Sequence, residues 1–587
     1  MSPIREYRWT FLHDNGSASN DPDRIGHIKR LIDELGISPV LAEILVRRGI
    51  LTKDMARPYF RPTLDDLHDP YLMDGMDIAV NRIIQAVTAN EQLLVYGDYD
   101  VDGTNGVSLL WTFLTSIGAN VRYYIPDRLT EGYGLSNAGI DKAKAAGVSL
   151  LISIDCGITA IKQVEHANSL GMDVIICDHH EPGEALPAAL AILNPLKPSC
   201  RYPFKYLCGC GVGFKLIQAL SNDEFVQSKF GGGAEEHLAS ALDLVTLATT
   251  ADIVPLVGEN RTLVKLGLEL MNTSPRPGIR ALIETSGLHP GRITAGQIVF
   301  VLAPRINAVG RLGDANRAVE LLTCPSYEQA LERAQVFETE NRNRRKIDED
   351  TFMQAQDLVE RYLDMEKDSA IILHQEAWHP GVIGIVASRL VERYYRPTIM
   401  MTTIDGIAKG SARSVSGFDI YKALKRCEDK LLQFGGHKYA AGLAVATDRI
   451  EEFKEAFSVV AKELLTDEIL TPEIHIEAKL QLSELTPKFV RILSQFAPFG
   501  PQNMRPMFAA HNLEVYGSPR IVGNNHLRFK VRQQNRIFDA IGFNLGGLIE
   551  RLKGKYVDLA FSLDEGDFAG ETVPQLKIKD LKTSGAA

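Results

Sequence analysis

The chain has 587 residues, with 64 Lys+Arg against 74 Asp+Glu for a net charge of −10, and is 45% hydrophobic and 24% charged. This composition excludes disorder along the whole length, and at roughly 100–200 residues per domain it predicts about three to five domains. The net acidity argues against a uniformly basic surface for nucleic acid but leaves room for a local basic groove.

No run approaches 18 consecutive apolar residues, so no transmembrane helix is expected, and MSPIREYRWTFLHDNG has no apolar core for a secretory signal. The chain reads as cytoplasmic. Its seven Cys are odd in number, which argues against a disulfide framework. Cys200, Cys208 and Cys210 lie close together, but no second CxxC or paired His follows, so they read as small buried thiols in a Gly-rich turn rather than a zinc site.

In chain order, residues 1–75 form an N-terminal accessory segment, with Leu31, Ile32, Leu35 and Ile37 spaced like one helix face. Residues 76–325 alternate strand and helix. QLLVY (92–96), VRYYI (121–125), SLLISI (149–154) and MDVIIC (172–177) are apolar runs suited to buried parallel strands. GDYDVDGT is expected as a loop and NGVSLLWTFLTSIG as a helix ending at Gly118, so a doubly wound α/β sheet follows. Residues 326–379 contain no Gly or Pro, which predicts one or two long helices, with 326–368 as the connector. A second, smaller α/β pattern occupies 369–468. Residues 469–587 carry short β-like runs (LEVYGS, LRFKVR, IFDAIGF, YVDLAFSLD) that suit a small β-barrel.

Four segments carry the chemistry: Asp98, Asp100 and Asp102 in GDYDVDG, Asp155 in IDCG, Asp178-His179-His180, and Asp252 in TADIVP. Three carboxylates in five residues repel one another unless a cation or proton lies between them. In an extended strand end, positions i and i+2 share a face, so the three would converge. A single Asp is commonly a turn or cap residue. Acidic residues at three strand ends of one sheet point instead to a ligand site, and mixed carboxylate and imidazole donors suit Mn²⁺ or Mg²⁺. A calcium loop would need a Glu at loop position 12, which DYDVD lacks.

Basic residues gather in two kinds of place. Residues 515–538 hold Arg520, Arg528, Lys530, Arg532 and Arg536 with no Asp or Glu, and Arg528, Lys530 and Arg532 alternate onto one strand face as a single-strand-binding barrel requires. Arg305 and Arg311 are expected to flank a turn, while Ser411, Arg413 and His437 lie beside glycines that let a backbone approach phosphate. The Arg342, Arg344, Arg345, Lys346 cluster is expected as a solvated helix face.

In this order and spacing, GDYDVDG, IDCG, DHH and TADIVP resemble the DHH phosphoesterase superfamily. APRINAVGR (303–311), SARS (411–414) and FGGHKYAAG look like further segments of it, including its DHHA1-type second domain. With an OB-type barrel beginning near FAPFGPQN, the resemblance narrows to the superfamily's single-strand-specific 5′→3′ exonucleases and covers about residues 40–580. It implies metal ligation by Asp100, Asp102, Asp155, His179 and Asp252, with His180 near the scissile phosphate and Asp155 bridging if two ions bind. Arg305, Asn307, Arg311, Ser411, Arg413, His437, Arg528, Lys530 and Arg532 become the nucleic-acid contacts. Many members carry a His four residues before Asp100, where this chain has Tyr96, so Asp98 is the candidate substitute ligand. The implied cofactor is Mn²⁺ or Mg²⁺, as one or two ions, and the implied product is 5′-mononucleotides. The implied setting is recombinational repair and mismatch excision by a cytoplasmic monomer, with a single-strand-binding protein and a RecQ-type helicase as partners and no membrane. The alternatives are a phosphodiesterase for short oligonucleotides or cyclic dinucleotides, and a non-catalytic single-strand-binding scaffold.

Overall fold

The computed structural model describes residues 6–11, 22–127, 131–312, 314–365, 367–568 and 571–585. They form two compact units, one within Arg48–Arg342 and Leu493–Arg505, the other within Met1–Arg47, Asn343–Ile492 and Pro506–Ala587.

The first unit is built on a parallel five-stranded sheet in the order Asn120–Tyr124, Gln92–Gly97, Val148–Ile154, Asp173–Cys177, Ala191–Leu193. Numbered along the chain this is 2-1-3-4-5, so the order reverses between the strands Gln92–Gly97 and Val148–Ile154. Ligands of doubly wound sheets bind at such a switch point, outside the carboxyl ends of the strands. Helix Val101–Ser116 buries Val107, Leu110, Phe113 and Leu114 against this sheet, each worth about 1.5–3 kcal/mol if fully withdrawn from water. Helix Gly209–Ser221 is pinned in the same core by Lys215, whose Nζ lies 3.1 Å from Glu259. Neither side chain reaches water, so removing one partner would strand a buried charge.

Several local expectations change. The helix begins at Val101, not after the DYDVDGT segment, because Asp100 caps it by accepting from the Gly103 N–H at 3.1 Å. The three carboxylates therefore gather around a strand-to-helix turn and not along an extended strand. The run before Asp252, EEHLASALDLVTLATT, is helix-like throughout in sequence but folds as two helices, Ala234–Ser240 and Leu242–Ala251. The Arg305 segment is no turn: a π-helical stretch, Ile298–Leu302, leads directly into helix Ala303–Leu312. Ile37 lies beyond the end of helix Pro22–Leu35.

Helix Tyr327–Tyr362 runs through the Gly- and Pro-free stretch. Its basic cluster is not wholly solvated: Arg342, Arg345 and Lys346 are exposed, but Arg344 is buried, facing the buried Asp348. The second unit contains a mixed five-stranded sheet ordered Gln433–His437, Ala440–Ala446, Ile407–Arg413, Thr398–Ile404, Ile371–His374, packed by helices Pro380–Tyr394 and Ile450–Leu464. Its barrel is formed by Phe508–Val522, His526–Gln533, Arg536–Gly542, Tyr556–Phe568 and Glu571–Thr583, closed where Phe508–Val522 pairs with Tyr556–Phe568. Leu527, Phe529 and Val531 point into it, which turns Arg528, Lys530 and Arg532 outward, as the alternation requires. The strand Arg8–Phe11, absent from the sequence expectation, pairs in parallel with Glu473–Ile476, and Trp9 Nε1 donates to buried Asp580 at 2.7 Å.

Candidate metal-dependent active site

The four acidic segments meet at the switch point. His179 Nε2 lies 3.2 Å from Asp155 Oδ1, 3.7 Å from Asp252 Oδ2 and 3.8 Å from Asp102 Oδ2. Two ligands about 2.1 Å from one ion at right angles stand about 3 Å apart, so these distances suit atoms aimed at a shared cation. Asp98, Asp100 and Asp155 form a second group with oxygens within 4.8 Å of one another, and Asp155 belongs to both.

Each ligand is aimed by local structure. Asp102, in the first turn of Val101–Ser116, receives the N–H groups of Gly209 at 2.6 Å and Cys210 at 2.9 Å, from the start of helix Gly209–Ser221. The two bonds aim the carboxylate from the helix's N-terminal end. Asp155 follows its strand with φ +62, and its N–H still bonds Cys177 C=O at 2.9 Å. A Cβ on Gly209 would stand 2.6 Å from Asp155 Cβ, so only glycine lets that helix approach. Asp252 caps the C-terminal end of Leu242–Ala251, and the next residue, Ile253, has φ +59. A β-branched side chain there is costly. Two of the turns that carry ligands are thus held in left-handed backbone.

The electrostatics ask for a cation. Burial, then Asp102 and the other carboxylates, push the Asp155 carboxyl well above its ordinary range. Burial and Asp102 do the same to Asp252 and raise Asp100. Burial holds His179 below the usual imidazole value, leaving it the neutral donor a metal needs. Asp155 Oδ1 has no hydrogen-bond partner although it is buried, an expensive condition unless an ion takes it up. The hard oxygen and imidazole donors therefore fit Mn²⁺ or Mg²⁺.

His180 behaves differently. Burial opposes its charge, but a 2.7 Å bond from Nδ1 to Asp178 raises it to about 9. Asp178 also receives the N–H groups of Ile158, His179 and His180. Burial alone would lift its carboxyl, yet the His180 bond holds it below the ordinary value. Asp178 stands in the Asp-His-His motif, but its role as the partner of His180 comes only from the fold. Tyr96 is not at the metal group: its hydroxyl donates to Gly134 C=O at 3.2 Å and accepts from the Ser136 N–H.

The sequence-derived nucleic-acid residues fall in several places. Arg305 is buried, with Nε 2.7 Å from Glu338 and a bond to Val301 C=O; Asn307 is half-buried on the same helix, and the Arg311 side chain lies outside the described residues. In the second unit, Arg413 Nη1 donates to Ser411 Oγ at 3.0 Å on strand Ile407–Arg413, and His437 is exposed on Gln433–His437. On the barrel, Arg532 pairs with Glu514 at 2.7 Å, Arg528 stands 3.9 Å from Asp539, and Lys530 is exposed. All seven cysteines are buried and unpaired; Cys208 caps helix Gly209–Ser221, accepting from the Gly211 N–H.

A doubly wound sheet that brings carboxylates from its strand ends to an Asp-His-His turn defines a metal-dependent phosphoesterase of the DHH class. Residues 92–249 match the DHH family N-terminal domain, 367–463 the DHHA1 domain and 476–580 the RecJ OB domain. The chain is 37% identical to the single-stranded-DNA-specific exonuclease RecJ of Bacillus subtilis (strain 168) over 562 residues, covering 95% of this chain and 70% of the relative. The crystal structure of RecJ from Thermus thermophilus in complex with Mn²⁺ superposes with a TM-score of 0.82 at 29% identity, covering 99% of this chain and 80% of that one. The Mg²⁺ complex of the same protein gives 0.75 at 27%, covering 99% and 79%. The chain belongs to the RecJ family of exonucleases.

Proposed function

We infer that this chain is a Mn²⁺- or Mg²⁺-dependent exonuclease that hydrolyses single-stranded DNA. The observation that carries the inference is the convergence of Asp102, Asp155 and Asp252 on His179 Nε2 within 3.8 Å, in a chain whose relatives along most of its length are single-stranded-DNA-specific exonucleases. When bound, the divalent ion lowers the pKa of water and polarises the phosphoryl oxygen. Asp100, Asp102, Asp155, His179 and Asp252 would hold it, with Asp155 shared and Asp98 completing a second position if two ions bind. His180 keeps its Nδ1 proton on Asp178, which leaves Nε2–H to donate to a phosphoryl oxygen as charge develops.

The finer features are supported by the resemblance of the motifs: attack from the 5′ end, release of 5′-mononucleotides by cleavage of the P–O3′ bond, and work in recombinational repair and mismatch excision. We extend the proposal to a cytoplasmic monomer working with a single-strand-binding protein and a RecQ-type helicase. No helix among the described residues is long and apolar enough to cross a membrane. The barrel face of Arg528, Lys530 and Arg532, the Ser411, Arg413 and His437 cluster, and the helix bearing Arg305, Asn307 and Arg311 are the proposed DNA contacts. The division into 1–75, 76–325, 326–368, 369–468 and 469–587 is proposed as the functional layout. Metal-dependent release of mononucleotides from end-labelled linear single strands tests the activity. Equal degradation of a circular single strand would reject the exonuclease reading.

A further inference from the structure

Glu259, Asn260 and Arg261 stand side by side at the start of helix Gly258–Thr273, just beyond the Asp252 turn, and all three are buried. Glu259 answers Lys215. Asn260 gives its amide to the C=O groups of Pro255, at 3.0 Å, and Tyr206, joining the segment that follows Asp252 to the one that leads into helix Gly209–Ser221. Arg261 enters no ion pair among the described residues and turns its guanidinium to carbonyls instead. Nη1 donates to Phe496 C=O at 2.9 Å and Pro498 C=O at 3.3 Å, and Nη2 to Ala497 C=O at 3.0 Å. Nε and Nη2 share Tyr59 C=O at 3.1 and 3.0 Å. Burial pulls this guanidinium down to about 10. A buried cation is costly unless its donors are bonded, and here the bonds go to one loop.

That loop lies in Leu493–Arg505, which belongs to the first unit although the chain on both sides of it belongs to the second. Asn503 closes the loop from its other end. Its Nδ2 donates to Phe496 C=O at 3.0 Å and Pro498 C=O at 2.7 Å, and its Oδ1 accepts from Arg48 at 2.6 Å. Held at both ends, the loop offers Pro501 C=O to the Leu256 N–H at 2.9 Å. A Cβ on Gly500 would stand 2.5 Å from Leu256 Cδ1, so glycine lets loop and turn meet closely. Leu256 is four residues beyond Asp252, and between them Ile253 keeps its left-handed backbone. Such a conformation persists only where the surroundings over-determine it.

We propose that Arg261 is a positioning residue of the nuclease: by fixing the loop that carries Pro501 it holds the turn from Asp252 to Leu256, and so sets where the Asp252 carboxylate meets the metal. Arg261 touches no ligand itself and acts as outer partners of metal ligands do, through orientation. The proposal deepens the nuclease reading and rests on it.

The test uses Arg261→Lys and Asn503→Ala, each at a temperature where circular dichroism shows it folded. Lysine keeps the charge but lacks the planar fork that reaches several carbonyls at once. Asn503→Ala loosens the same loop without altering helix Gly258–Thr273. In EDTA, hydrogen exchange of residues 252–257 should quicken about tenfold in both variants, the order of one lost hydrogen bond, while strand Gln92–Gly97 exchanges as in the wild type. Calorimetric Mn²⁺ affinity should weaken about tenfold. At fixed Mn²⁺ kcat should fall and recover as Mn²⁺ is raised, with KM for a single strand unchanged. The double variant should go little further than either single one, because both act on one loop. Wild-type exchange at 252–257, or unchanged Mn²⁺ affinity, overturns the proposal. So does an equal quickening in Gln92–Gly97, which would make the role one of general stability. If Arg261→Lys does not fold, Asn503→Ala decides alone by the same outcomes. A wild-type protein without Mn²⁺-dependent nucleotide release would overturn the nuclease reading, whereas exchange and metal affinity still judge Arg261 without turnover.

Discussion

Asp178 Oδ1 lies 2.7 Å from His180 Nδ1, and that carboxylate also gathers three backbone N–H groups while almost wholly withdrawn from water. Asp178 is thus the counter-charge that keeps His180 an imidazolium at neutral pH, with its pKa raised to about 9. A protonated His180 is present below that value and lost as pH rises through it. Asp178→Asn should move the loss toward the ordinary imidazole value of about 6.5. We expect kcat of this variant to fall by roughly tenfold to a hundredfold at pH 8, and by less at pH 6, with KM for DNA little changed. A kcat–pH profile parallel to wild type would remove His180 protonation from the reaction.

Asp155→Asn separates metal binding from folding. Asn tolerates the left-handed backbone that Asp155 adopts, and the change deletes one charge from a crowded buried cluster. In EDTA the variant should melt at or above the wild-type temperature. Mn²⁺ should stabilise the wild type, by about 2.7 kcal/mol at a hundredfold excess over Kd, but not the variant. Activity should be abolished while single-strand binding persists in a gel-shift assay. Near wild-type turnover in Asp155→Asn would exclude this carboxylate from the metal site.

Tyr96→Phe probes the position at which this chain departs from the superfamily's histidine. The hydroxyl contacts Gly134 and Ser136 and no member of the carboxylate cluster. Its loss should cost about 1 kcal/mol of stability and lower kcat/KM several-fold by loosening the 131–136 loop, which sets Tyr133 against His180. Mn²⁺ affinity measured by calorimetry should not move. A marked fall in metal affinity would return Tyr96 to the ligand shell.

Ile253 is 59% exposed and sits at φ +59. The left-handed backbone costs roughly 1–2 kcal/mol for a residue with a Cβ, and little burial is lost on truncation. Ile253→Gly should therefore gain about 1 kcal/mol in urea unfolding after glycine's extra chain entropy is subtracted. Mn²⁺ affinity should weaken a few-fold because Asp252 is held less firmly. Destabilisation instead of gain would show that the Ile253 side chain does more packing than its exposure implies.

On the barrel, Lys530 enters no ion pair among the described residues, whereas Arg532 is matched with Glu514 at 2.7 Å. Lys530→Ala should weaken single-strand binding and reduce the slope of log K against log salt by about 0.7. Arg532→Ala should change that slope less, because its charge is already offset. Equal slopes for the two variants would place both side chains on phosphate.

Much of this was legible before the fold was known, because the signals are local. Apolar runs such as SLLISI and MDVIIC mark buried strands by composition, and an Asp that ends such a run has few structural reasons to be there. The barrel face around Lys530 followed from alternation alone. What was misjudged is equally physical. Arg305 was expected beside a turn, but it lies on helix Ala303–Leu312, which carries its side chain into the protein toward Glu338, 33 residues away. Glu514 lies just outside the acid-free window of 515–538, yet strand pairing sets it directly opposite Arg532. The Gly-Tyr-Gly of residues 132–134 was present in the sequence, but nothing local announced that Tyr96 and Glu131 would hold it beside His180.

By itself the sequence determined which elements form and which residue types can ligate a hard cation, since hydrophobic period, caps and carboxylate chemistry act over a few residues. The tertiary structure decided how those residues are used. Gly209 and Cys210 deliver their N–H groups to Asp102 across more than a hundred residues of chain, Asp155 serves two ligand groups at once, and a tyrosine at a ligand position becomes an anchor for a loop. Hydrogen bonds and Coulomb interactions depend on distance in space, and only the folded chain sets those distances.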